Sequence, residues 1–116
     1  MIDHLDHLVL TTTQESACID FYTRILGMRL ERFISGTPPI ERRAFLFGHQ
    51  KINLHLKGKE FEPKAHLPVP GALDLCFVAA VACGRRSCWN LELLFAWFSF
   101  HASSEISIRF RSGSRT

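Results

Sequence analysis

Within the first 79 residues, one segment has the periodicity of an amphipathic helix, and strand-like segments flank it on both sides. Its apolar residues recur at the i, i+3, i+4, i+7 spacing of a single helical face: Cys18, Phe21, Tyr22 and Ile25. Thr12 and Glu15 have the spacing of a capping box, and Gly27 stands where a helix commonly ends in a left-handed residue. The sequence therefore predicts a helix over residues 14–26.

The other apolar segments of this region have the length and composition of strands. The predicted strands cover residues 5–10, 28–34, 43–47, 52–56 and 72–79. The first and last of these are apolar on both pleat faces except for a few polar residues, as expected of strands that are covered on both sides. One helix among strands predicts an α+β fold, in which the helix and the first four strands form one module with the element order βαβββ.

The strand predicted over residues 52–56 alternates cleanly. Its apolar residues, Ile52, Leu54 and Leu56, share one pleat face, which we expect to cover the helix. Asn53 and His55 share the other face, which we expect to border a more hydrated space.

Composition restricts the classes of function. With 116 residues, 47% of them hydrophobic, the chain fits one globular domain. The net charge is +3, but residues 1–79 contain nine basic and nine acidic side chains, so the excess lies in residues 80–116. Arg109, Arg111 and Arg115 are too sparse for a nucleic-acid surface, which is therefore disfavoured.

The four cysteines predict no disulfide framework or zinc site, because none of them forms a C-x-x-C pair. Cys18 and Cys76 fall within apolar patterns, so we expect buried thiols in a reducing compartment. The acidic and imidazole groups of residues 1–7 do not fit a signal peptide, and the apolar stretch 91–100 is half the length of a membrane span. These features predict a cytoplasmic protein without a membrane segment.

The character of the sequence changes at about residue 80. Beyond that point there is no Pro, Lys or Asp, both tryptophans occur, and the apolar residues hold no single period. We predict that residues 1–79 form one unit and that residues 80–116 are an atypical tail, helical at first and then disordered. The abrupt break suggests an alternative exon, read-through or shifted frame as the origin of the tail.

Three short sequence motifs within the first 79 residues resemble motifs of one known family. Asp-His-Leu-Val-Leu at residues 6–10, Asp-Phe-Tyr-Thr-Arg-Ile-Leu-Gly-Met at residues 20–28 and Lys-Ile-Asn-Leu-His at residues 51–55 are similar to the glyoxalase and extradiol dioxygenase superfamily, the vicinal oxygen chelate proteins. The resemblance covers residues 2–79. It implies a fold of two βαβββ modules around a divalent metal, and here we expect one module, with the second absent or replaced by the tail.

The resemblance also implies candidate ligands for that metal. His7 falls on the first strand, Asn53 or His55 on the last strand of the first module, and Asp74 on the first strand of the second module. We therefore predict His7, His55 and Asp74 as metal ligands, with Asn53 as the rival of His55. The alternatives are structural histidines and a hydrogen-bonded carboxylate. The family motif D-P-D-G-N-x-x-E, which contains the carboxylate ligand of the second module, has no match in this chain.

By the resemblance, the protein is expected to use zinc, nickel, iron or manganese as lyase, isomerase or dioxygenase on a small oxygenated metabolite. No catalytic base can be named. The alternative is an inactive, truncated fragment that acts in binding or dimerisation. A homodimer would pair two first modules and cover an open sheet edge together with the cluster of Trp89 and Phe95.

Overall fold

The computed structural model describes residues 1–79 and 107–112 and divides the chain into two compact units, residues 1–70 and residues 71–116. The first unit contains one four-stranded sheet and one helix. Its elements in chain order are β1 (His7–Thr12), α1 (Glu15–Asp20), a π-helical continuation (Phe21–Ile25), β2 (Arg29–Ser35), β3 (Ile40–Phe47) and β4 (Gln50–Leu56). This order confirms the predicted α+β class and the single βαβββ module.

The strands lie in the order β1-β4-β3-β2, so the first and last strands of the module are neighbours. β1 and β4 are parallel, whereas β4, β3 and β2 are joined as antiparallel neighbours. A parallel pair requires a crossover connection, and α1 with the two hairpin strands supplies it. The sheet therefore has one face that packs on the helix and one face that does not.

The predicted helix is confirmed in position, but its last turns are π-helical rather than α-helical. Gly27 ends it with φ 71°, the left-handed conformation that the sequence predicts. The predicted capping box is wrong, because Gln14 is the residue before the helix and no side chain caps it. Thr12 instead belongs to β1, and its hydroxyl accepts hydrogen bonds from the Gln14 N–H (2.9 Å) and the Cys18 thiol (3.2 Å).

The core of this unit lies between the helix and one face of the sheet. Tyr22 stacks on Phe45 of β3 with ring centroids 4.7 Å apart and an angle of 18° between the planes. The buried side chains around this pair are Leu10, Cys18, Phe21, Ala44, Ile52 and Leu54. The apolar face of β4 thus packs on the helix as predicted, and each large side chain buried there contributes about 1.5–3 kcal/mol.

The second unit contains a parallel pair of strands, β5 (Asp74–Ala79) and β6 (Ser107–Ser112). The expected burial of β5 on both sides is wrong, because Asp74, Cys76 and Val78 are exposed. These residues alternate with two half-buried ones, which is typical of a strand with one solvent-exposed face. The prediction that Cys76 is buried fails for the same reason, whereas Cys18 is buried as expected.

β6 lies where the sequence predicts a disordered end. The rest of the atypical tail, including its predicted helical part and the Trp89 and Phe95 cluster, falls outside the described residues. The helices within the described ranges are too short to cross a membrane.

The Tyr22 hydroxyl provides a test of this core. It is fully buried, and it has no hydrogen-bond partner among the described residues. Burial raises the pKa of Tyr22, so the group stays neutral, and an unsatisfied hydroxyl costs about 1–3 kcal/mol. We expect Tyr22→Phe to leave the free energy of unfolding unchanged or raise it by about 1 kcal/mol, as measured by urea denaturation.

The matched variant Tyr22→Ala removes the ring that stacks on Phe45. Its free energy of unfolding should fall by about 3–5 kcal/mol. If Tyr22→Phe instead loses more than about 1 kcal/mol, the hydroxyl has a partner and this description of the core is wrong.

Candidate functional site

The pairing of β1 with β4 determines which side chains share the sheet face turned away from the helix. In this register His7 lies opposite Lys51, Val9 opposite Asn53, and Thr11 opposite His55. Arg42 of β3 belongs to the same face, because its neighbour Arg43 pairs with Leu54 on the helix side. We call this surface the polar face, defined by His7, Thr11, Arg42, Lys51, Asn53 and His55.

His7 is the first residue of β1 and is exposed. Its Nδ1 lies 2.7 Å from Oδ2 of Asp6, and the same oxygen lies 3.4 Å from Nζ of Lys51. The hydrogen bond from His7, followed by the one from Lys51, lowers the pKa of the Asp6 carboxyl, which is therefore ionised at neutral pH. Nδ1 must then donate, and in the neutral imidazole the lone pair lies on Nε2, as in histidines that bind metals.

Asn53 lies two positions beyond the register partner of His7, about 7 Å along the strand. Its Oδ1 is buried and has no hydrogen-bond partner in the part of the chain that the structure describes. Buried polar atoms are nearly always paired, so an unpaired amide oxygen on this face is a candidate ligand atom.

His55 lies four positions beyond the register partner of His7, about 13 Å along the strand. Side chains stand nearly perpendicular to a sheet, so this separation is too large for two imidazoles to bind one ion with bonds of about 2.0–2.1 Å. The His55 side chain is only 1% exposed, and its ring lies 4.0 Å from the ring of Phe61. Burial, and then the charge of Arg42, lowers the pKa of His55.

Asp74 is the first residue of β5 and is exposed. It belongs to the second unit, whereas His7 and His55 belong to the first. Among residues 1–79 and 107–112, no three His, Cys, Asp or Glu side chains form a group that could hold a metal ion.

The helix side of the sheet also contains a cavity, of about 280 Å³. Two cations line it, Arg43 and Lys59. Arg43 donates to Glu15 of α1 and, through Nε at 3.1 Å, to Glu41. The hydrogen bond to Glu15, and the weaker one to Glu41, raise the pKa of Arg43. Because Arg43, Glu15 and Glu41 are paired with one another, and no buried unpaired side-chain atom of the described residues belongs to these three groups, the unpaired atoms of the polar face are the better candidate site.

Comparison with known proteins identifies the family. The family model of the Glyoxalase/Bleomycin resistance protein/Dioxygenase superfamily matches residues 4–103. The chain belongs to this superfamily. This confirms the resemblance of residues 6–10, 20–28 and 51–55. The matched region extends to residue 103, so the predicted limit of the resemblance at residue 79 is too short.

Two curated relatives within the superfamily show extensive similarity. Glyoxalase domain-containing protein RDO1 of Mycosarcoma maydis is 60% identical over 74 residues, which are 64% of this chain and 39% of the relative. Virulence protein STM3117 of Salmonella typhimurium is 49% identical over 80 residues, 69% of this chain and 52% of the relative. The chain thus spans from two-fifths to half of the length of these relatives.

Solved structures with clear sequence similarity have the same fold. VPC_CASS1, a structure from the mobile metagenome of V. Pseudocholerae, is 31% identical with a TM-score of 0.72, and the match covers 99% of this chain and 98% of that chain. The crystal structure of STM3117 is 39% identical with a TM-score of 0.63, over 84% of this chain and 68% of the other.

Sequence reasoning missed three residues that surround His55: Arg42, Glu60 and Phe61. Arg42 lay outside the predicted strand 43–47, and the other two lie in the connector after β4. The signal that could have identified Arg42 was the length of β3. A strand that begins at Ile40 places Arg42 next to His55, and alternation then puts both on one face.

The buried His55 predicts a pH-dependent stability. Its folded pKa is lowered, so the unfolded chain binds the proton more readily than the folded one. Stability from the neutral ring is complete above the unfolded pKa of about 6.5 and is lost as the pH falls from there through the folded pKa. We expect the free energy of unfolding to fall from pH 7 to pH 5 more steeply in the wild type than in His55→Asn.

Urea denaturation at half-unit pH steps measures this difference. His49→Asn, which alters an exposed turn residue, is the control and should follow the wild-type curve. Parallel curves for the wild type and His55→Asn would show that His55 titrates in the same way in both states.

Proposed function

We propose that the polar face supplies one half of a divalent-metal site that binds a small oxygenated metabolite, with His7 and Asn53 as its protein ligands. Superfamily membership supports a role in small-molecule chemistry. The observation that carries the proposal is the buried, unpaired Oδ1 of Asn53 beside β1, whose first residue His7 has a free Nε2.

Asn53 fits this role better than His55. It is about 7 Å rather than about 13 Å from the register position of His7, and its oxygen has no competing partner among the described residues. The ring of His55, by contrast, is buried against Phe61. A ligand pair of one imidazole and one amide oxygen suits a borderline or hard ion such as zinc, nickel, iron or manganese.

Two ligands do not complete a catalytic metal site, which commonly has three protein ligands and one open position. The superfamily resemblance assigns the remaining ligands to a second module, and Asp74 stays a predicted ligand on that resemblance alone. Two copies of the chain in a homodimer are the other source of a second module. Both arrangements are proposals, because this chain spans only part of the length of its curated relatives.

When bound, such an ion polarises a vicinal pair of substrate oxygens and stabilises the negative charge that develops on them. Asp6 holds the His7 ring in the tautomer that leaves Nε2 unprotonated. Lys51 lies 3.4 Å from Asp6 and balances its charge. We assign no base, so lyase, isomerase and dioxygenase reactions stay open within the proposal.

The alternative function is an inactive fragment that binds a small molecule or a second copy of the chain. It is favoured by the finding that the described residues alone contain no group of three metal-ligating side chains. Within the superfamily, residues 58–65 and 68–71 resemble glyoxalase domain-containing protein 5, and that narrower assignment is also a proposal. The cytoplasmic location and the absence of nucleic-acid binding stay predictions.

Metal binding by variants of the full chain tests the ligand assignment. We expect His7→Ala to weaken the binding of zinc or nickel by at least tenfold in isothermal titration calorimetry. Asp6→Asn should weaken it by about tenfold, because it leaves the ring of His7 unoriented. His55→Ala should stay within about twofold of the wild type.

Metal content measured on the purified protein separates the two functions. A stoichiometric ion that is lost in His7→Ala supports the metal site, and an apparent mass of two chains in light scattering identifies a dimer. Metal at background level in the wild type favours the inactive fragment. An equal loss in His7→Ala and His55→Ala would restore His55 as a ligand.

A further inference from the structure

One end of the polar face combines a cation with polar atoms that have no partner. Arg42 and His55 lie side by side on β3 and β4, with Phe61 against both: its ring centroid is 4.2 Å from Cζ of Arg42 and 4.0 Å from the His55 ring. Nε of Arg42 and Nδ1 of His55 are buried and have no hydrogen-bond partner among the described residues.

The guanidinium of Arg42 combines partial burial with the lack of an ion pair, because no carboxylate in the described part of the chain lies within ion-pair distance of it. Nη2 donates to the backbone oxygen of Glu62 at 3.2 Å, which is a neutral acceptor. Arg43 and Arg32, by contrast, both pair with carboxylates. The side chain of Arg42 is half-buried, so water screens its charge less than that of an exposed arginine.

The surrounding charges are mixed, and the neighbouring lysines are paired. Lys64 adds a positive charge near His55 and Glu60 adds a negative one, while Nζ of Lys64 lies 3.7 Å from Oε1 of Glu62. Backbone N–H groups lower the pKa of the Glu60 carboxyl, which is therefore ionised. Its Oε1 is buried without a hydrogen-bond partner among the described residues and lies 3.9 Å from Nζ of Lys57.

The turn between β2 and β3 leaves room for the guanidinium. Gly36 has φ 97°, and a Cβ at this position would lie 3.1 Å from Nη2 of Arg42. A larger residue would therefore displace the group. The guanidinium is held at this place by three neighbours: the turn, the ring of Phe61 and the oxygen of Glu62.

Arginine is the side chain best suited to bind carboxylate and phosphate, because its planar donors match two oxygens at once. A buried donor without an acceptor costs about 1–3 kcal/mol, and an oxyanion would satisfy both the donor and the charge. Water would satisfy the donor but would leave the charge unpaired. The unpaired Nε–H of Arg42 therefore favours an anionic group as the missing partner, and His55 donates to the same group in the tautomer that carries the proton on Nδ1.

We propose that Arg42 and His55 form an oxyanion subsite that binds the carboxylate or phosphate group of the metabolite. The inference deepens the proposed function and rests on it for the metal end of the same face. His55 lies two residues from Asn53 on β4, about 7 Å along the strand. The substrate class is therefore a compact oxygenated acid whose anionic group is a few bonds from its metal-binding oxygens.

Phe61 determines how the oxyanion reaches this subsite. Its ring covers His55, and Phe61 lies in the connector after β4 rather than in a strand. The ring is half-exposed, and an oxyanion that contacts His55 has to displace it.

Binding of acetate and of inorganic phosphate to the metal-free full chain tests the subsite. At constant ionic strength, we expect one of these anions to bind with a dissociation constant of about 1–10 mM in an NMR titration, as suits a fragment that forms few contacts. Arg42→Gln should weaken this binding by at least tenfold. Glu60→Gln should strengthen it severalfold, because it removes the opposing charge.

Arg24→Gln is the matched control, since Arg24 lies exposed on the helix and pairs with Asp20. It should bind the anion within about twofold of the wild type. Stronger anion binding by Glu60→Gln cannot result from misfolding. This variant therefore still tests the subsite if Arg42→Gln is destabilised. Stronger binding of acetate identifies a carboxylate substrate, and stronger binding of phosphate identifies a phosphorylated one.

Any one of three results would overturn the subsite. The first is no binding of either anion at 50 mM, which is about five times the weakest expected dissociation constant. The others are equal binding by Arg42→Gln and the wild type, and equal losses of binding in Arg42→Gln and Arg24→Gln. Because the protein is free of metal, failure of the metal site at His7 does not affect this measurement. Anion binding without metal binding would leave the subsite in place and reject the metal proposal.

Discussion

The parallel pairing of β1 with β4 is the constraint on which the rest of this module depends. It brings together residues that lie more than 40 positions apart in the chain, and a parallel pair cannot be joined by a tight turn. The helix and the hairpin strands β2 and β3 are therefore the connection that makes the pairing possible. The register also decides which side chains face the helix, since a slip of one residue would exchange the two faces.

The two faces of the sheet differ in how completely their charged and ring-nitrogen groups are satisfied. On the helix side, Arg43 is bonded to Glu15 and Glu41, and Tyr22 stacks on Phe45, although its hydroxyl has no hydrogen-bond partner among the described residues. The polar face instead contains buried, unpaired atoms of Asn53, His55 and Arg42 within the described part of the chain. The helix side therefore stabilises the module, and the polar face is available for a ligand.

Local sequence signals predicted the elements but not their ends. The apolar spacing of Cys18, Phe21, Tyr22 and Ile25 and the following Gly27 predicted the helix, because these signals act within a few residues. The ends of β1 and β3 failed, since Thr12 and Arg42 are held in strands by partners that are distant in sequence. Threonine suits a strand as well as a cap, so only the pairing with β4 decides between the two.

The same nonlocal register limited the prediction of the site. The sequence and the resemblance predicted His7 as a metal ligand but could not decide between Asn53 and His55. Asn53 and His55 lie two residues apart and therefore share one face of β4. Only the pairing of Val9 with Asn53 shows which of them lies closer to His7. Phe61 was beyond prediction for a different reason, since it lies in a connector with no periodicity to indicate that its ring covers His55.

The unpaired atoms of the polar face also limit how the module can exist alone. Each costs about 1–3 kcal/mol, whereas a whole domain is stable by only about 5–15 kcal/mol. A unit of 70 residues buries a modest core, so it has little stability in reserve for several such atoms. A ligand that binds only the folded state would add stability that rises with the logarithm of its concentration above the dissociation constant. Binding on the polar face and the stability of this module are therefore coupled, whether the second module comes from this chain or from another copy.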